Sequence, residues 1–173
     1  MKSGEMLSKA ILIATQAHAG QFDKGGKPYI LHPLTVLHKV GQVSEEVQCI
    51  AVLHDVIEDC TGKIIHIDGH QVTISFAMLA EQGMTVGVVE GVRALTKMPG
   101  QTYEEYQHAV LSNHSSMLVK LEDLRTNSDL RRMKSKTIGE KDVQRVAKYM
   151  AFYALITSKL VGENPGEKPG ELI

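Results

Sequence analysis

The chain has 173 residues, 19 basic and 20 acidic side chains, a formal net charge of −1, and 43 % hydrophobic residues. That length suits one domain with one sizeable core, and the near-neutral charge gives no overall attraction to nucleic acid or to a membrane surface. Tryptophan is absent and aromatics make up only 5 %, so the core must come mainly from Ala, Val, Leu, Ile and Met, which favours packed helices. No segment is long and apolar enough to span a bilayer. The opening "MKSGEMLSKAILIATQAH" reads as an amphipathic helix rather than a signal peptide. Cys49 and Cys60 show no CxxC or zinc-knuckle spacing and read as reduced thiols of a cytoplasmic protein.

From Glu5 to Ala19, apolar residues at Met6, Ala10, Ile13, Ala14 and Ala17 recur with helical period, which predicts a first helix with one buried face. "GQFDKGGKPYILHP" stops it with two glycine-containing turns and two prolines, a polar surface loop unsuited to a mere connector. Pro33 is tolerated in a first turn and is expected to open a second helix carrying Leu34, Leu37 and Val40. Ser44 is a good N-cap, and a third helix is expected to run unbroken through "EEVQCIAVLHDVIED". Next, "KIIHI" and "HQVTI" flank Asp68 and Gly69, a strong hairpin signal, so a small β-hairpin insertion is predicted around residues 63–74. Helical patterns follow in "FAMLAEQG", "TVGVVEGVRALTK", "TYEEYQHAVLSN" and "SSMLVKLEDLRTNSDLRRM". A last helix, "EKDVQRVAKYMAFYALITSKL", is expected to bury Val143, Val146, Tyr149, Met150 and Tyr153. Residues 161–173, rich in Gly, Pro and Glu, read as a disordered tail behind a domain spanning 1–160. The expected fold is all-α, a helical bundle with one small hairpin.

The stretch "AVLHDVIED", residues 51–59, places four ionisable groups in an apolar run. Burying a charge is strongly unfavourable unless it is paired or bound to a metal. On a continuous helix His54 and Glu58 share a face, as do Asp55 and Asp59, so all four can face one cleft. Taken alone, His54 and Asp55 read equally as a ligand pair or as hydrogen-bonded structural residues, and Glu58 and Asp59 as a solvated last turn. Acidic groups at a helix C-terminus oppose the macrodipole, a penalty that a bound cation removes. His32, just before Pro33, and Asp123, with Lys120 three residues before it and Asn127 four after, complete a His, His-Asp, Asp set from three separated elements. Helical bundles build metal sites in this way, and mixed nitrogen and oxygen ligation suits Mn²⁺, Fe²⁺ or Zn²⁺. His18, His38, His66, His70, His108 and His114 read as structural histidines, and "RRMKSK" as a solvated basic face.

The ordered set "HP", "HDxxED" and "DxxxN" resembles the HD-domain metal-dependent phosphohydrolases, and within them the hydrolase domain of the RelA/SpoT-type alarmone enzymes. The resemblance runs from "AHAGQ" through "DLRTN" and includes "KGGKPYILHPL", "AVLHDVIED", "VRALTK" and "VKLEDLRTN". It implies that His32, His54, Asp55 and Asp123 ligate a metal, usually Mn²⁺. It further implies that Glu58 and Asp59 orient the attacking water and transfer protons, and that Lys24, Tyr29 and Asn127 contact the substrate. The implied reaction removes pyrophosphate from the 3′ position of ppGpp or pppGpp, a small-molecule nucleotide substrate, with no nucleic-acid or membrane partner. The length leaves no room for a synthetase half, so hydrolysis alone is expected.

The family commonly carries an arginine just before the lysine of the polar loop. Here Asp23 takes that place, and its carboxylate is expected to repel phosphate. Arg125, Arg131, Arg132 and Lys134 are candidates for the replacement charge, and the hairpin is a candidate flap. Two further readings stand beside the first. One is an HD phosphohydrolase of another nucleotide, a nucleotidase or dinucleotide phosphatase, which Asp23 favours. The other is a non-hydrolysing alarmone-binding module, which the retention of Glu58 and Asp59 disfavours.

Overall fold

The computed structural model describes residues 4–129 and 139–163. In chain order these form α1 (Glu5–Ala17), α2 (Leu31–Lys39), α3 (Glu45–Leu53), α4 (Val56–Cys60), β1 (Ile64–Ile67), β2 (His70–Thr73), α5 (Phe76–Glu81), α6 (Val86–Leu95), α7 (Tyr103–Leu111), α8 (His114–Asn127) and α9 (Glu140–Glu163). The helical bundle and its single hairpin are as the sequence patterns predict.

Short polar side chains start most of these helices by accepting an orphan backbone N–H. Ser44 does so for α3, Ser75 for α5, Thr85 for α6 and Asn113 for α8. Thr102 and Glu105 form a reciprocal capping box at α7. In the hairpin Ile64 pairs with Thr73 and Ile67 with His70. Its turn places Asp68 and Gly69 at φ 51° and 82°, the two left-handed positions for which an Asp-Gly pair is suited.

Helix α3 is the centre of the bundle. Cys49, Ile50, Ala51, Val52 and Leu53 are all fully buried, and α1, α2, α6 and α8 pack around them. The approach of α6 is close: a Cβ on Gly91 would lie 2.8 Å from Ile50 Cγ1 and closer still to Cδ1. A side chain at this crossing would have to displace Ile50.

Three expectations need correction. The third helix does not run unbroken to Asp59: it ends at Leu53, and α4 starts afresh at Val56. The second helix opens at Leu31, two residues before Pro33, whose missing N–H lies within the first turn where no partner is needed. On α9, Val143 and Met150 are exposed and Val146, Tyr149 and Tyr153 only half-buried, while Phe152, Ile156 and Leu160 supply the buried stripe. The stripe follows where α7 and α8 offer a core to pack against. The hairpin is held to the end of α1, where Gln16 exchanges hydrogen bonds with the His66 backbone and Lys63 Nζ donates to Ala17 O. It borders neither of the cavities described below.

Replacing Gly91 with Ala should force Ile50 from its rotamer and lower stability by about 1–3 kcal/mol, read as a reduced urea midpoint with an unchanged m-value.

Candidate metal and hydrolase site

Three elements bring the predicted ligands together. His32 comes from the first turn of α2, His54 and Asp55 from the break between α3 and α4, and Asp123 from the middle of α8. His32, His54 and Asp123 are each at most 4 % exposed, and one ligand atom of each lies within 4.8 Å of the other two. His32 Nε2 is 3.1 Å from Asp123 Oδ1 and 3.5 Å from Asp55 Oδ2. His54 Nε2 is 3.1 Å from Asp55 Oδ2 and 3.6 Å from Asp123 Oδ1.

The helix break explains how His54 is aimed. Its Nδ1 donates to Ala51 O at 2.7 Å, which keeps a proton on Nδ1 and aims Nε2 at the carboxylates. Among the described residues that buried Nε2 has no hydrogen-bond partner. An orphaned imidazole nitrogen beside two carboxylate oxygens is the donor set a divalent cation satisfies. The residues therefore fit a metal.

The outer partners orient these groups. Lys120 Nζ donates to Asp123 Oδ2 at 2.7 Å, and Asn127 Nδ2 to Asp123 Oδ1 at 2.6 Å. Thus the neighbours at three before and four after, singled out by spacing on the helix, both grip Asp123. The Tyr29 hydroxyl donates to Asp55 Oδ2 at 2.7 Å. Burial, then the Asp55 charge, pushes the Tyr29 phenol far up, so it stays a donor.

The electrostatics follow from this crowding. Burial alone would raise Asp55, but the neighbouring His54 outweighs it and holds the carboxyl down at about 2. Burial likewise opposes Asp123, which Lys120 and the bonds from His32 and His54 hold well below the usual range. His54 is pushed down by burial and, more strongly, up by Asp55 and Asp123.

The two acids of the "HDVIED" stretch take different places. Both are exposed. Glu58 Oε2 accepts from Lys97 N at 2.8 Å, whereas Asp59 stands one turn beyond Asp55, its N–H donating to Asp55 O at 2.9 Å. Burial and then Asp55 raise the Asp59 carboxyl above its ordinary range.

Two cavities flank the cluster. The smaller, about 360 Å³, is bordered by Lys24, Tyr29 and Asn127, together with Asp23 and His32. The larger, about 670 Å³, is bordered by Asp55 and Glu58 and by the cations Lys97, Lys120, Lys141, Arg145 and Lys148. Arg145 and Tyr149 border both.

The positive charge expected elsewhere therefore comes chiefly from α9. Arg125 is turned to Glu122 and the Tyr153 ring and borders neither cavity. Arg131, Arg132 and Lys134 lie outside the described residues. The signal that would have found α9 is the spacing of Lys141, Arg145, Lys148 and Tyr149, one polar helical face beside the apolar stripe. Asp23 also has a job that its sequence position did not reveal. Its Oδ1 accepts from Lys27 N at 2.8 Å, and its backbone pairs with Lys27 and Gly26, so the carboxylate closes the polar loop.

Fold and site together define a helical bundle of HD type with a His, His-Asp, Asp cluster in which only Asp55 is partly exposed. No protein-family model matches the chain. Curated proteins do. It is 32 % identical over 77 % of its length to a guanosine-3′,5′-bis(diphosphate) 3′-pyrophosphohydrolase of Haemophilus influenzae. It is 29 % identical over 81 % of its length to the protein of that name in Vibrio cholerae. It is 30 % identical over 80 % of its length to the bifunctional (p)ppGpp synthase/hydrolase SpoT of Escherichia coli. The matched region is 20 % of the length of each of these relatives. In fold the chain matches the solved structure of a metazoan ortholog of SpoT, described as hydrolysing ppGpp and acting in starvation responses. That match has a TM-score of 0.66, covers 94 % of this chain and 89 % of that one, and carries 21 % identity. The resemblance read from the motifs therefore holds in sequence over most of the chain and in fold.

The depressed carboxyls set an acid limit on the metal-free protein. A group whose folded value lies below its unfolded value contributes its stability above the ordinary carboxylate range and loses it as pH falls. Stability of the metal-free chain should drop between about pH 4 and about 2, and Asp55→Asn should remove about 2 kcal/mol of that dependence, read by urea unfolding across the range.

Proposed function

We propose that this chain hydrolyses ppGpp and pppGpp, removing the 3′ pyrophosphate and returning GDP or GTP. The observation that carries the reading is the cluster of buried His32, His54 and Asp123 with the half-buried Asp55, lying between two cavities, one of them rich in cations, with Glu58 at its edge. The names of the curated relatives support the choice of substrate.

His32, His54, Asp55 and Asp123 would hold the ion, for which Mn²⁺ is the choice the resemblance implies. A divalent ion there supplies acidity to a water and neutralises charge on the phosphoryl oxygens. The chain's own groups do the rest. Glu58 borders the larger cavity, tethered to Lys97 N, and Asp59 has a raised carboxyl. Both are suited to orient the attacking water and accept its proton. Lys24, Tyr29 and Asn127 border the smaller cavity as substrate contacts, and Asn127 and Tyr29 also hold the ligands Asp123 and Asp55 in place. Lys97, Lys120, Arg145 and Lys148 surround the phosphates with positive charge. The buried free thiols Cys49 and Cys60 fit a reducing, cytoplasmic compartment.

A second reading keeps the chemistry and changes the nucleotide. It is favoured by Asp23, an acidic wall of the smaller cavity at the loop position where the resemblance implies an arginine.

Incubation of the purified chain with ppGpp and Mn²⁺ should release GDP and pyrophosphate. Asp55→Ala should abolish both metal binding and release. Glu58→Gln should keep the metal and slow turnover by about 100-fold or more. Bound metal with ppGpp left intact by the wild type would move the substrate to another nucleotide.

A further inference from the structure

Of the three phenylalanines in the chain, Phe152 is buried against Tyr103 and Tyr106, and Phe76 lies beneath the Arg93 guanidinium. Phe22 is 67 % exposed, on the polar loop between α1 and α2. A single apolar side chain on a surface needs no special reason, but this one is held in place and borders a cavity. Cross-loop bonds clamp the backbone on both sides of it: Tyr29 N donates to Gln21 O at 2.9 Å, and Asp23 N to Lys27 O at 2.9 Å. Phe22 itself forms a β-bridge with Pro28, and Asp23 Oδ1 closes the turn by accepting from Lys27 N. The ring is therefore carried on a clamped backbone, at the wall of the smaller cavity that Tyr29, His32 and Tyr149 also border.

The charges of the two cavities decide which part of a nucleotide this wall suits. The larger cavity sets four lysines and Arg145 against Asp55 and Glu58, an excess of positive charge that favours phosphates. In the smaller, Asp23 and Asp129 offset Lys24 and Arg145, so the wall there carries no such excess. A space of balanced charge with an exposed aromatic ring at its edge suits the uncharged, planar end of the molecule. Bases stack on aromatic side chains whatever their edges carry, because every base has a π-face.

We propose that Phe22 is a substrate-binding residue: the nucleobase stacks on its ring in the smaller cavity, while the phosphates extend past the histidine–aspartate cluster toward the cations of the larger one. Stacking takes the exposed ring face out of water. Because the cross-loop bonds already fix the backbone, little further order has to be imposed on binding. The contact grips the base by its face, so it adds affinity for the whole nucleotide and leaves the bond that is cut to the groups around the cluster. The inference rests on the reading of the substrate as a nucleotide.

The test has an arm that needs no turnover. The chain contains no tryptophan, so Phe22→Trp installs a single indole at this wall. At fixed Mn²⁺, GDP should quench its emission saturably, whereas inorganic pyrophosphate, which has no base, should leave it unchanged. GDP binding seen by calorimetry with unaltered emission, or equal quenching by pyrophosphate, overturns the proposal. The second arm is kinetic, and the exposure of Phe22 means that its replacement removes no core contact. Phe22→Ala should raise KM for ppGpp by about 5- to 150-fold with kcat nearly unchanged, as expected when uniform binding is lost. Phe22→Tyr, which keeps a ring, should stay near wild type, and Phe22→Leu, which keeps the apolar bulk alone, should not. An unchanged KM in Phe22→Ala, or full recovery in Phe22→Leu, overturns the stacking role. Base-dependent quenching in a chain that leaves ppGpp intact supports that role and overturns the proposed reaction instead. A wild-type chain that binds no GDP overturns the nucleotide reading, and the role of Phe22 with it.

Discussion

The structure depends on one crowded contact. Two imidazole nitrogens and two carboxylate oxygens meet inside the bundle, with separations between 3.1 and 3.6 Å across the four histidine–aspartate pairs. Carboxylates in such a place repel each other and lose their hydration, and removal of one partner from a buried ionic set is strongly destabilising. Everything nearby answers that problem. Ala51 O takes the His54 Nδ1 proton, Lys120 and Asn127 hold the two oxygens of Asp123, and Tyr29 donates to Asp55. Even the break between α3 and α4 belongs to it, because the turn at His54 and Asp55 lets both side chains point at the same centre. A cation among them would complete the arrangement.

The same cluster divides the surroundings into two sides. On one, the loop that carries Lys24 and Tyr29 faces Asn127. On the other, Glu58 faces a wall of lysines and an arginine. Helix α9 spans both, with Arg145 and Tyr149 bordering each cavity. Its apolar stripe of Phe152, Ile156 and Leu160 anchors it to the bundle, so its polar face is presented from a fixed support. This arrangement lets a near-neutral chain gather positive charge beside the cluster. Asp23 has the opposite sign, and its bond to Lys27 N makes it part of the loop's construction. Reversal to arginine would therefore disturb the loop that carries Lys24 and Tyr29 as well as change the charge.

Much of this was legible in the residues. Asp68 and Gly69 announced the hairpin because few other pairs accept two left-handed conformations in succession. Ser44 announced the start of α3. That His54 and Asp55 would meet other polar groups was legible because histidine and aspartate in an apolar run need a reason to be there. The break after Leu53 was not legible. "CIAVLHDVIED" has an unbroken helical pattern, and only the bond from His54 to Ala51 O shows how the ring is held at the break. The buried face of α9 was misread because Val143 and Met150 are as apolar as Phe152, and which face is covered depends on where α7 and α8 end. The function of Asp23 lay in a hydrogen bond to a backbone four residues away, and the cations of α9 become neighbours of Asp55 only in the folded chain.

The central claim is that a divalent cation belongs among His32, His54, Asp55 and Asp123. Its most direct test is calorimetric titration of Mn²⁺ into the metal-free chain, paired with thermal unfolding of the free and loaded forms. The account predicts one equivalent bound, with proton release as His54 is deprotonated, and a higher unfolding temperature for the loaded form. No binding, or binding that survives loss of both His54 and Asp123, would contradict it.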